Sequence, residues 1–258
     1  MTLEYSSDGS CGIWPWKRAY SRRPPPRIVL QDICLEIMAG EFTSILGHSG
    51  CGKSTLLKIV AGFSRPTRGT VWIDDCLVTG PQGDHVFVFQ EGALFPWLTI
   101  QENICLALKS IRNIGERREK AQYYLELVGL EGVEHHYSHM LSGGMRQRAE
   151  IARALAAQPD ILLMDEPFSG LDYLTRLYLR EEMLNLQALL PTTTILFVTH
   201  DIDEALQLSN RLIILSEPPA QVKCCRTIRI PHPRVLTSSD LGEMRSLIYH
   251  HLGVHTAI

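Results

Sequence analysis

A glycine-rich run in the first quarter of the chain carries the clearest chemistry. It fits the pattern G-x-x-x-x-G-K-[ST] at every fixed position. With the threonine after it, the run consists of Gly47, His48, Ser49, Gly50, Cys51, Gly52, Lys53, Ser54 and Thr55. Glycines let successive backbone N–H groups turn inward around a polyanionic phosphate. Lys53 would pair with the β- and γ-phosphates and the Ser54 hydroxyl would ligate Mg²⁺. The run therefore predicts an ATP site rather than a glycine-rich turn without a ligand.

Two adjacent acids supply the groups that such a site still needs. They follow the apolar run 161–164, which predicts a strand. Asp165 stands where a second metal ligand is required, and Glu166 would project toward the nucleotide and polarise a water molecule. Two acids after a strand can also be only a solvated strand end. The phosphate loop decides in favour of a metal ligand and a catalytic base.

The segments around these residues alternate between strands and helices, which predicts an α/β fold with a parallel sheet. The loop lies between an apolar strand, 42–46, and a helix, 54–61, which is the context the motif requires. Continuous apolar runs suit strands covered on both faces. The other predicted strands are 28–30, 33–37, 71–73, 86–89, 161–164, 194–198 and 211–215. The other predicted helices are 101–110, 116–128, 147–157, 203–208 and 241–252.

Composition shifts divide the chain into three parts. Residues 1–27 predict a poorly packed extension, because glycines break any pattern and the run 22–26 favours polyproline II. Residues 28–216 predict the nucleotide-binding domain, with a helical insertion at about 91–154. Residues 217–258 predict a proline-containing tail that ends in a helix.

Charge and hydropathy exclude several classes of protein. The net charge of −3 gives no basic footprint, so we expect no nucleic-acid partner. No apolar run reaches the roughly 18 residues that span a bilayer. The first twelve residues are polar and predict no secretory signal. We therefore expect a cytoplasmic protein.

Seven cysteines are scattered along the chain without metal-ligand spacing. Reduced thiols are the expectation for a cytosolic protein. Cys51 stands out, because a position at a helix N-terminus can lower the pKa of a thiol. The adjacent Cys224 and Cys225 leave a redox pair as an alternative.

Further motifs, in a fixed order, resemble the nucleotide-binding subunits of ABC transporters. The segment 141–147 reads Leu-Ser-Gly-Gly-Met-Arg-Gln and resembles the ABC signature, with Met145 where glutamine is more usual. Gln90 resembles the Q-loop residue, Asp172 closes a segment similar to the D-loop, and His200 resembles the switch histidine. The resemblance covers roughly residues 28–216.

This resemblance implies a P-loop NTPase with a RecA-like core, a helical ABC subdomain and a small antiparallel β portion. It also implies a head-to-tail homodimer that encloses two ATP molecules. Each ATP would lie between one subunit's phosphate loop and the other subunit's Ser142, Gly143 and Gly144. These three residues precede a helix, so backbone N–H groups and the helix dipole suit a γ-phosphate there.

The resemblance also assigns roles within the site. Glu166 would orient or deprotonate the attacking water, and His200 would contact the γ-phosphate. Gln90 would contact Mg²⁺ or water, Asp172 would couple the subunits, and Tyr20 would stack on adenine. The predicted catalytic residues are Glu166, His200 and Lys53, and the predicted metal ligands are Ser54, Gln90 and Asp165.

The segment after Gln90 resembles bacterial importers of nitrate, taurine and aliphatic sulfonates, in which a Leu-x-Pro-Trp sequence is common. Phe95 and Trp97 would form the apolar wall of a groove for a permease helix, although a role in the core is the alternative. The implied partners are integral-membrane permease subunits and a periplasmic or lipoprotein solute-binding protein. The implied location is the cytoplasmic face of the inner membrane.

Several alternatives remain open from the sequence. An importer of thiamine-precursor pyrimidines shares much of the pattern. A soluble ABC ATPase acting on DNA or the ribosome usually has two cassettes or a long coiled coil, and a P-loop kinase has no use for the 141–147 segment. A cassette without turnover is disfavoured by the intact Lys53, Asp165, Glu166 and His200.

Overall fold

A mostly parallel six-stranded sheet forms the centre of the computed structural model, which describes residues 27–90 and 92–253. The strands are β1 Phe42–Leu46, β2 Trp72–Ile73, β3 Cys76–Leu77, β4 His85–Val88, β5 Ile161–Asp165, β6 Thr194–Val198, β7 Arg211–Leu215 and β8 Val222–Thr227. Their order in the large sheet is β4-β5-β6-β1-β7-β8, with β8 antiparallel to β7. The strands β2 and β3 form a separate antiparallel pair. The predicted α/β class is confirmed.

Seven α-helices surround the sheet in the described part of the chain. They are α1 Lys53–Val60, α2 Ile100–Cys105, α3 Ile114–Leu127, α4 Gly143–Ala156, α5 Tyr173–Leu189, α6 Ile202–Leu208 and α7 Ser239–Leu252. Among these residues, none of the helices has the length and apolar character needed to cross a membrane. The helix α5 was not among the predicted helices.

The buried strands of the sheet bring three chain segments to one edge. β1 pairs in parallel with both β6 and β7, and β6 pairs in parallel with β5. Alternate residues pack on opposite faces: Leu163 joins the α1 side, whereas Met164 joins the cluster of the helical layer. Because parallel strands end at the same edge, the loops after β1, β5 and β6 meet there.

The predicted insertion forms a helical layer of α2, α3 and α4, which contact one another. Their shared core includes the buried Ile104, Leu125 and Ala152. The helices begin at polar caps: Thr99 forms a capping box with Glu102 at the start of α2. The helical layer and one face of the sheet therefore share a single apolar cluster.

The predicted strands at 28–30 and 33–37 are wrong. Leu30 forms only an isolated bridge with Ala220, which lies in the turn between β7 and β8 and offers no longer ladder. In the second segment, Ile33, Leu35 and Ile37 pack against the core with strand-like alternation, but the segment joins neither sheet. The alternation correctly indicated which side chains face inward. The segment is not a strand because it pairs with no neighbouring strand.

The chain after residue 216 forms a strand of the large sheet in addition to the predicted helix. The sheet extends past that boundary, since β8 completes its edge. Adjacent β8 residues face opposite sides: Cys224 joins the cluster beneath α7, and Cys225 accepts a hydrogen bond from Arg211 Nε at 3.0 Å. The helix α7 buries Leu241 and Ile248 completely.

A buried arginine fastens this segment to α6. Arg234 donates hydrogen bonds to the carbonyls of Leu206 (2.8 Å) and Ser209 (2.7 Å) at the end of α6, and to that of Ile230 (2.8 Å). Burial lowers the pKa of Arg234 to about 10. The guanidinium therefore satisfies carbonyl groups that the end of the helix would otherwise leave without donors.

Replacing Arg234 with alanine should lower the free energy of unfolding by about 2–3 kcal/mol, because buried carbonyls lose their donors. Urea denaturation of the purified protein measures this change. Arg229 is exposed nearby, and Arg229→Ala should change the value by less than about 0.5 kcal/mol. Equal losses in the two variants would contradict the assigned role of Arg234.

Candidate active site

The phosphate loop connects β1 to α1 through backbone conformations that favour glycine. Gly50 has φ 75° and Gly52 has φ 109°. A Cβ on Gly52 would lie 2.8 Å from the Cδ2 atom of Leu30 and 2.9 Å from the Cγ1 atom of Val29. Gly52 is also the N-cap of α1 and supplies no side-chain cap. The first N–H groups of α1 are thus left without a side-chain acceptor, as a phosphate site requires.

Lys53 places a buried positive charge at the loop. Its Nζ donates hydrogen bonds to the carbonyls of Gly47 (2.8 Å) and His48 (3.1 Å). The same atom lies 3.8 Å from Glu166 Oε1. The loop carbonyls and one carboxylate therefore hold the ammonium group beside the N-terminus of α1.

Ser54 and Asp165 bring together the oxygen atoms that a hard cation would use. The Ser54 hydroxyl donates a hydrogen bond of 2.8 Å to Asp165 Oδ1. Burial raises the pKa of Asp165, and the hydrogen bond from Ser54 opposes that effect. No group of three or more metal-binding acids, histidines or cysteines occurs in residues 27–90 and 92–253. The pair fits Mg²⁺, which commonly uses one or two carboxylates and takes its other ligands from water and phosphate.

Glu166 links the phosphate loop to His200. Its backbone has φ 48°, an uncommon conformation for a residue other than glycine, and its N–H donates to the Val198 carbonyl at 2.9 Å. One carboxylate oxygen faces Lys53, and the other lies 3.1 Å from Nδ1 of His200. The imidazole of His200 is 57% exposed. A carboxylate between a fixed cation and an accessible imidazole can accept or orient a proton.

Whereas Gly47, His48 and His200 line a separate pocket, eight of the predicted site residues share a groove of about 390 Å³. It is lined by Arg27, Val29, Ser49, Gly50, Gly52, Lys53, Ser54, Thr55, Gln90, Glu166 and Pro218. Gln90 reaches the groove from the end of β4. Arg27, Val29 and Pro218 were not predicted, because nothing in their local sequence distinguishes them.

Two loop residues point away from this groove. Nε2 of His48 lies 2.7 Å from the Leu252 carbonyl at the end of α7. Cys51 is fully buried in the core cluster, and burial raises the pKa of its thiol, so the expectation of a lowered pKa is wrong. Only the backbone groups of these two residues can therefore contact a phosphate bound by the loop. Tyr20 lies outside the described residues.

The ABC signature lies elsewhere on the chain. Ser142 is the N-cap of α4 and accepts a hydrogen bond from the Met145 N–H at 3.2 Å. Ser142 and Gly143 are exposed, whereas Met145 packs partly into the helical core. The groove of the phosphate loop includes neither Gly144 nor the two residues before it. One chain alone therefore does not bring the two motifs into the same groove.

A network of charged residues that the sequence did not predict surrounds the base of the His200 loop. Arg180 Nη2 donates to Asp201 Oδ2 (3.0 Å) and to Glu204 Oε1 (3.3 Å). Arg176 Nη1 donates to the same Asp201 oxygen at 3.2 Å. The residues belong to different helices, so no short-range pattern signals the network. The D-loop residue Asp172 accepts hydrogen bonds from the Thr175 N–H and hydroxyl, and those bonds lower its pKa.

Comparisons with known proteins agree with this geometry. Residues 30–169 match the ABC transporter family model. The aliphatic sulfonates import ATP-binding protein SsuB of Bacillus cereus (strain ATCC 10987 / NRS 248) is 44% identical over 220 residues, which cover 85% of this chain and 86% of SsuB. The nitrate import ATP-binding protein NrtD of Synechococcus elongatus (strain ATCC 33912 / PCC 7942 / FACHB-805) is 45% identical over 199 residues, covering 76% of this chain and 72% of NrtD.

A solved structure of an ATP-binding cassette is also similar to this chain. The dimeric post-hydrolysis state of the ATP-binding cassette MJ0796, bound to ADP and Pi, is 32% identical with a TM-score of 0.73, covering 89% of this chain and 97% of that one. The chain belongs to the ABC transporter family. It is an ATP-binding cassette with the P-loop NTPase fold, and it hydrolyses ATP.

The steric difference between two loop glycines can be measured without nucleotide. Both have positive φ, so Gly50→Ala should lower the free energy of unfolding by about 1–2 kcal/mol. Gly52→Ala should lower it by about 1–3 kcal/mol more, because its Cβ would overlap the side chains of Leu30 and Val29. Urea denaturation measures both variants. Equal losses would show that the packing against Gly52 is not required.

Proposed function

We propose that this cassette powers a bacterial importer of a small oxyanion, nitrate or an organic sulfonate, at the cytoplasmic face of the inner membrane. The observation that carries the catalytic part is the position of Glu166 between Lys53 and His200. The names of the relatives support the oxyanion, since SsuB is described for aliphatic sulfonates and NrtD for nitrate.

The catalytic roles proposed are those implied by the family resemblance, and the contacts of each side chain support them. Lys53 neutralises charge on the β- and γ-phosphates, and Glu166 orients or deprotonates the attacking water. His200, whose Nδ1 lies 3.1 Å from Glu166 Oε2, would contact the γ-phosphate. Ser54, its hydrogen-bond partner Asp165, and Gln90, which lines the same groove as Ser54, would hold Mg²⁺, which supplies charge neutralisation on the phosphates.

A second copy of the chain would complete the site. Ser142, Gly143 and Gly144 begin α4 and are separated from the groove within one chain. In a head-to-tail homodimer their N–H groups would face the γ-phosphate bound by the partner subunit. The dimeric state of the cassette MJ0796 supports this arrangement.

The permease subunits would bind a groove at the edge strand β4. A cavity of about 390 Å³ lies there, lined by Val86, Phe87, Val88, Ala93, Phe95, Leu106, Ala107, Glu150, Arg153, Ala154 and Ala157. Phe95 and Trp97 are 40% and 69% exposed, and their ring centroids are 5.3 Å apart. These exposures favour the docking role over the core role. An exposed pair of aromatics beside an apolar cavity is suited to receive a helix.

Buried polar groups hold this aromatic pair in place. Asn103 is fully buried and exchanges hydrogen bonds with the Phe95 N–H (2.8 Å) and carbonyl (3.1 Å). Glu150 accepts from the Ala93 N–H at 2.8 Å, and Arg153 donates to the Ala93 carbonyl at 2.9 Å. A docking surface fixed in advance loses less entropy on binding.

The oxyanion itself would be selected by the other components. A periplasmic or lipoprotein solute-binding protein and the permease contact the solute, whereas this subunit supplies ATP hydrolysis. The chain has a net charge of −3, consistent with a function that involves no nucleic acid.

Glu166→Gln should retain ATP binding and lower turnover by about 10²–10⁴-fold, because the amide cannot accept the proton. It should also accumulate as an ATP-bound dimer. Steady-state hydrolysis and size-exclusion chromatography with Mg²⁺-ATP measure the two effects. Glu181 is exposed on α5, and Glu181→Gln is the matched control that should hydrolyse normally. Wild-type turnover by Glu166→Gln would refute the assignment of the base.

Trp97→Ala should weaken association with the proposed permease subunits by about 2 kcal/mol or more, as expected for an aromatic anchor that is buried on binding. Co-purification from membranes and titration of the permease complex measure the loss. Trp72→Ala is the control, since Trp72 is 61% exposed on the separate β2–β3 pair.

Two outcomes would contradict the proposed docking surface. One is that both tryptophan variants bind the permease like the wild type. The other is that the neighbouring genes encode a helicase or ribosome factor instead of a permease and a binding protein, which would refute the importer function as a whole.

A further inference from the structure

We infer that Arg176 is a positioning residue that couples the D-loop to His200, through contacts that the two loops share with one guanidinium group. The inference rests on the proposed roles of Glu166 and His200. Arg176 would not contact the nucleotide. It would determine the position of the His200 side chain relative to Glu166.

Two hydrogen bonds of Arg176 lead to different loops, and its Nε also lies 4.0 Å from Glu204 Oε1. Nη2 donates a hydrogen bond of 3.2 Å to the carbonyl of Leu171, within the D-loop. Nη1 donates a hydrogen bond of 3.2 Å to Oδ2 of Asp201, the residue directly after His200. A displacement of either loop therefore changes the acceptor positions around the same side chain.

The His200 loop is anchored on both sides of the histidine. Thr199 is buried, its hydroxyl donates to Glu204 Oε2, and its Oγ1 accepts from the Asp201 N–H at 3.0 Å. Asp201 is held by Arg176 and by the buried Arg180. The imidazole between these anchors is exposed, so its direction toward Glu166 depends on where the anchors lie.

The D-loop end of the connection is also fixed. Leu171 is buried, and the next residue, Asp172, binds the Thr175 N–H and hydroxyl at the start of α5. The carbonyl of Leu171 therefore sits at a defined place beside Arg176. In the proposed homodimer the D-loop couples the subunits, so Arg176 would pass the state of that interface to His200.

Arginine suits this role better than lysine. Its planar fork directs separate N–H groups at two acceptors, whereas an ammonium group is a point charge on a flexible stem. Arg180 is less suitable for a test, because it is buried and donates to the buried Glu204 at 3.3 Å, whereas Arg176 lies 4.0 Å from the same carboxylate. Arg176 is 27% exposed and can be replaced with less damage to folding.

The test compares Arg176→Gln and Arg176→Lys with the wild type in steady-state hydrolysis of Mg²⁺-ATP by the purified full-length chain. Both variants should lower kcat by about ten- to a hundredfold, the scale of a misplaced catalytic group, and leave the KM for ATP little changed. Melting temperatures should stay within about 4 °C of the wild type, which separates positioning from folding.

Arg245→Gln is the matched control. Arg245 also binds an acid in the first turn of α6, Asp203, but it reaches that acid from α7 and not from the D-loop. This variant should keep the wild-type kcat. An equal loss in Arg245→Gln would show that any weakened contact to α6 slows turnover, and the inference would be overturned.

A double-mutant cycle identifies the contact. Arg176→Gln and Asp201→Asn remove the same hydrogen bond from opposite sides, so the double variant should be no slower than the slower single variant. The inference would be overturned if the losses of kcat in the two single variants multiplied in the double variant, or if Arg176→Gln had the wild-type kcat. His200→Ala and Glu166→Gln are measured in parallel: wild-type turnover in those two variants would refute the proposed site, whereas their inactivity with an active Arg176→Gln refutes only the coupling.

Discussion

The position of the Glu166 carboxylate, between the ammonium of Lys53 and the imidazole of His200, is the constraint on which the rest of the structure depends. The three residues come from three separate segments, so no local interaction can bring them together. The sheet does so, because β1, β6 and β5 are neighbours and end at the same edge. The left-handed backbone of Glu166 then turns its side chain toward both partners. A residue held in that conformation requires rigid surroundings, which the buried strands provide.

Much of this arrangement was predictable, because its signals are local. The strands Phe42–Leu46, Thr194–Val198 and Arg211–Leu215 match short, mainly apolar runs, and the phosphate loop matches a fixed spacing. The edge strand Val222–Thr227 was missed because it is polar, half-exposed and flanked by prolines. The side-chain directions of His48 and Cys51 were also unpredictable, since α7 and the core determine them.

The charged network shows a different limit of sequence reasoning. Arg180 and Glu204 are 24 residues apart and lie on different helices, and each is unremarkable within its own segment. Each of these buried side chains depends on the others. Burial raises the pKa of Glu204, and the contacts with Thr199 and Arg180 oppose that effect. Removing either Arg180 or Glu204, which are both buried, would leave the other with a poorly compensated charge, so these two residues act as a unit. The D-loop and the His200 loop are therefore built on a shared base, although the sequence presents them as separate motifs.

The helix Gly143–Ala156 extends the same reasoning from the ATP site to the membrane partner. Its N-cap, Ser142, is part of the proposed contact with the partner subunit's nucleotide, and Glu150 lies eight residues later, about 12 Å along the axis. Glu150 and Arg153 hold the backbone of Ala93, which leads to the exposed Phe95. A helix of this length with a buried face moves as one body, so its N-terminus cannot be displaced independently of the segment that Glu150 holds. Closure of the proposed dimer and docking of the proposed permease thus act on opposite parts of one rigid element, and hydrolysis and transport can be coupled without any direct contact between their sites.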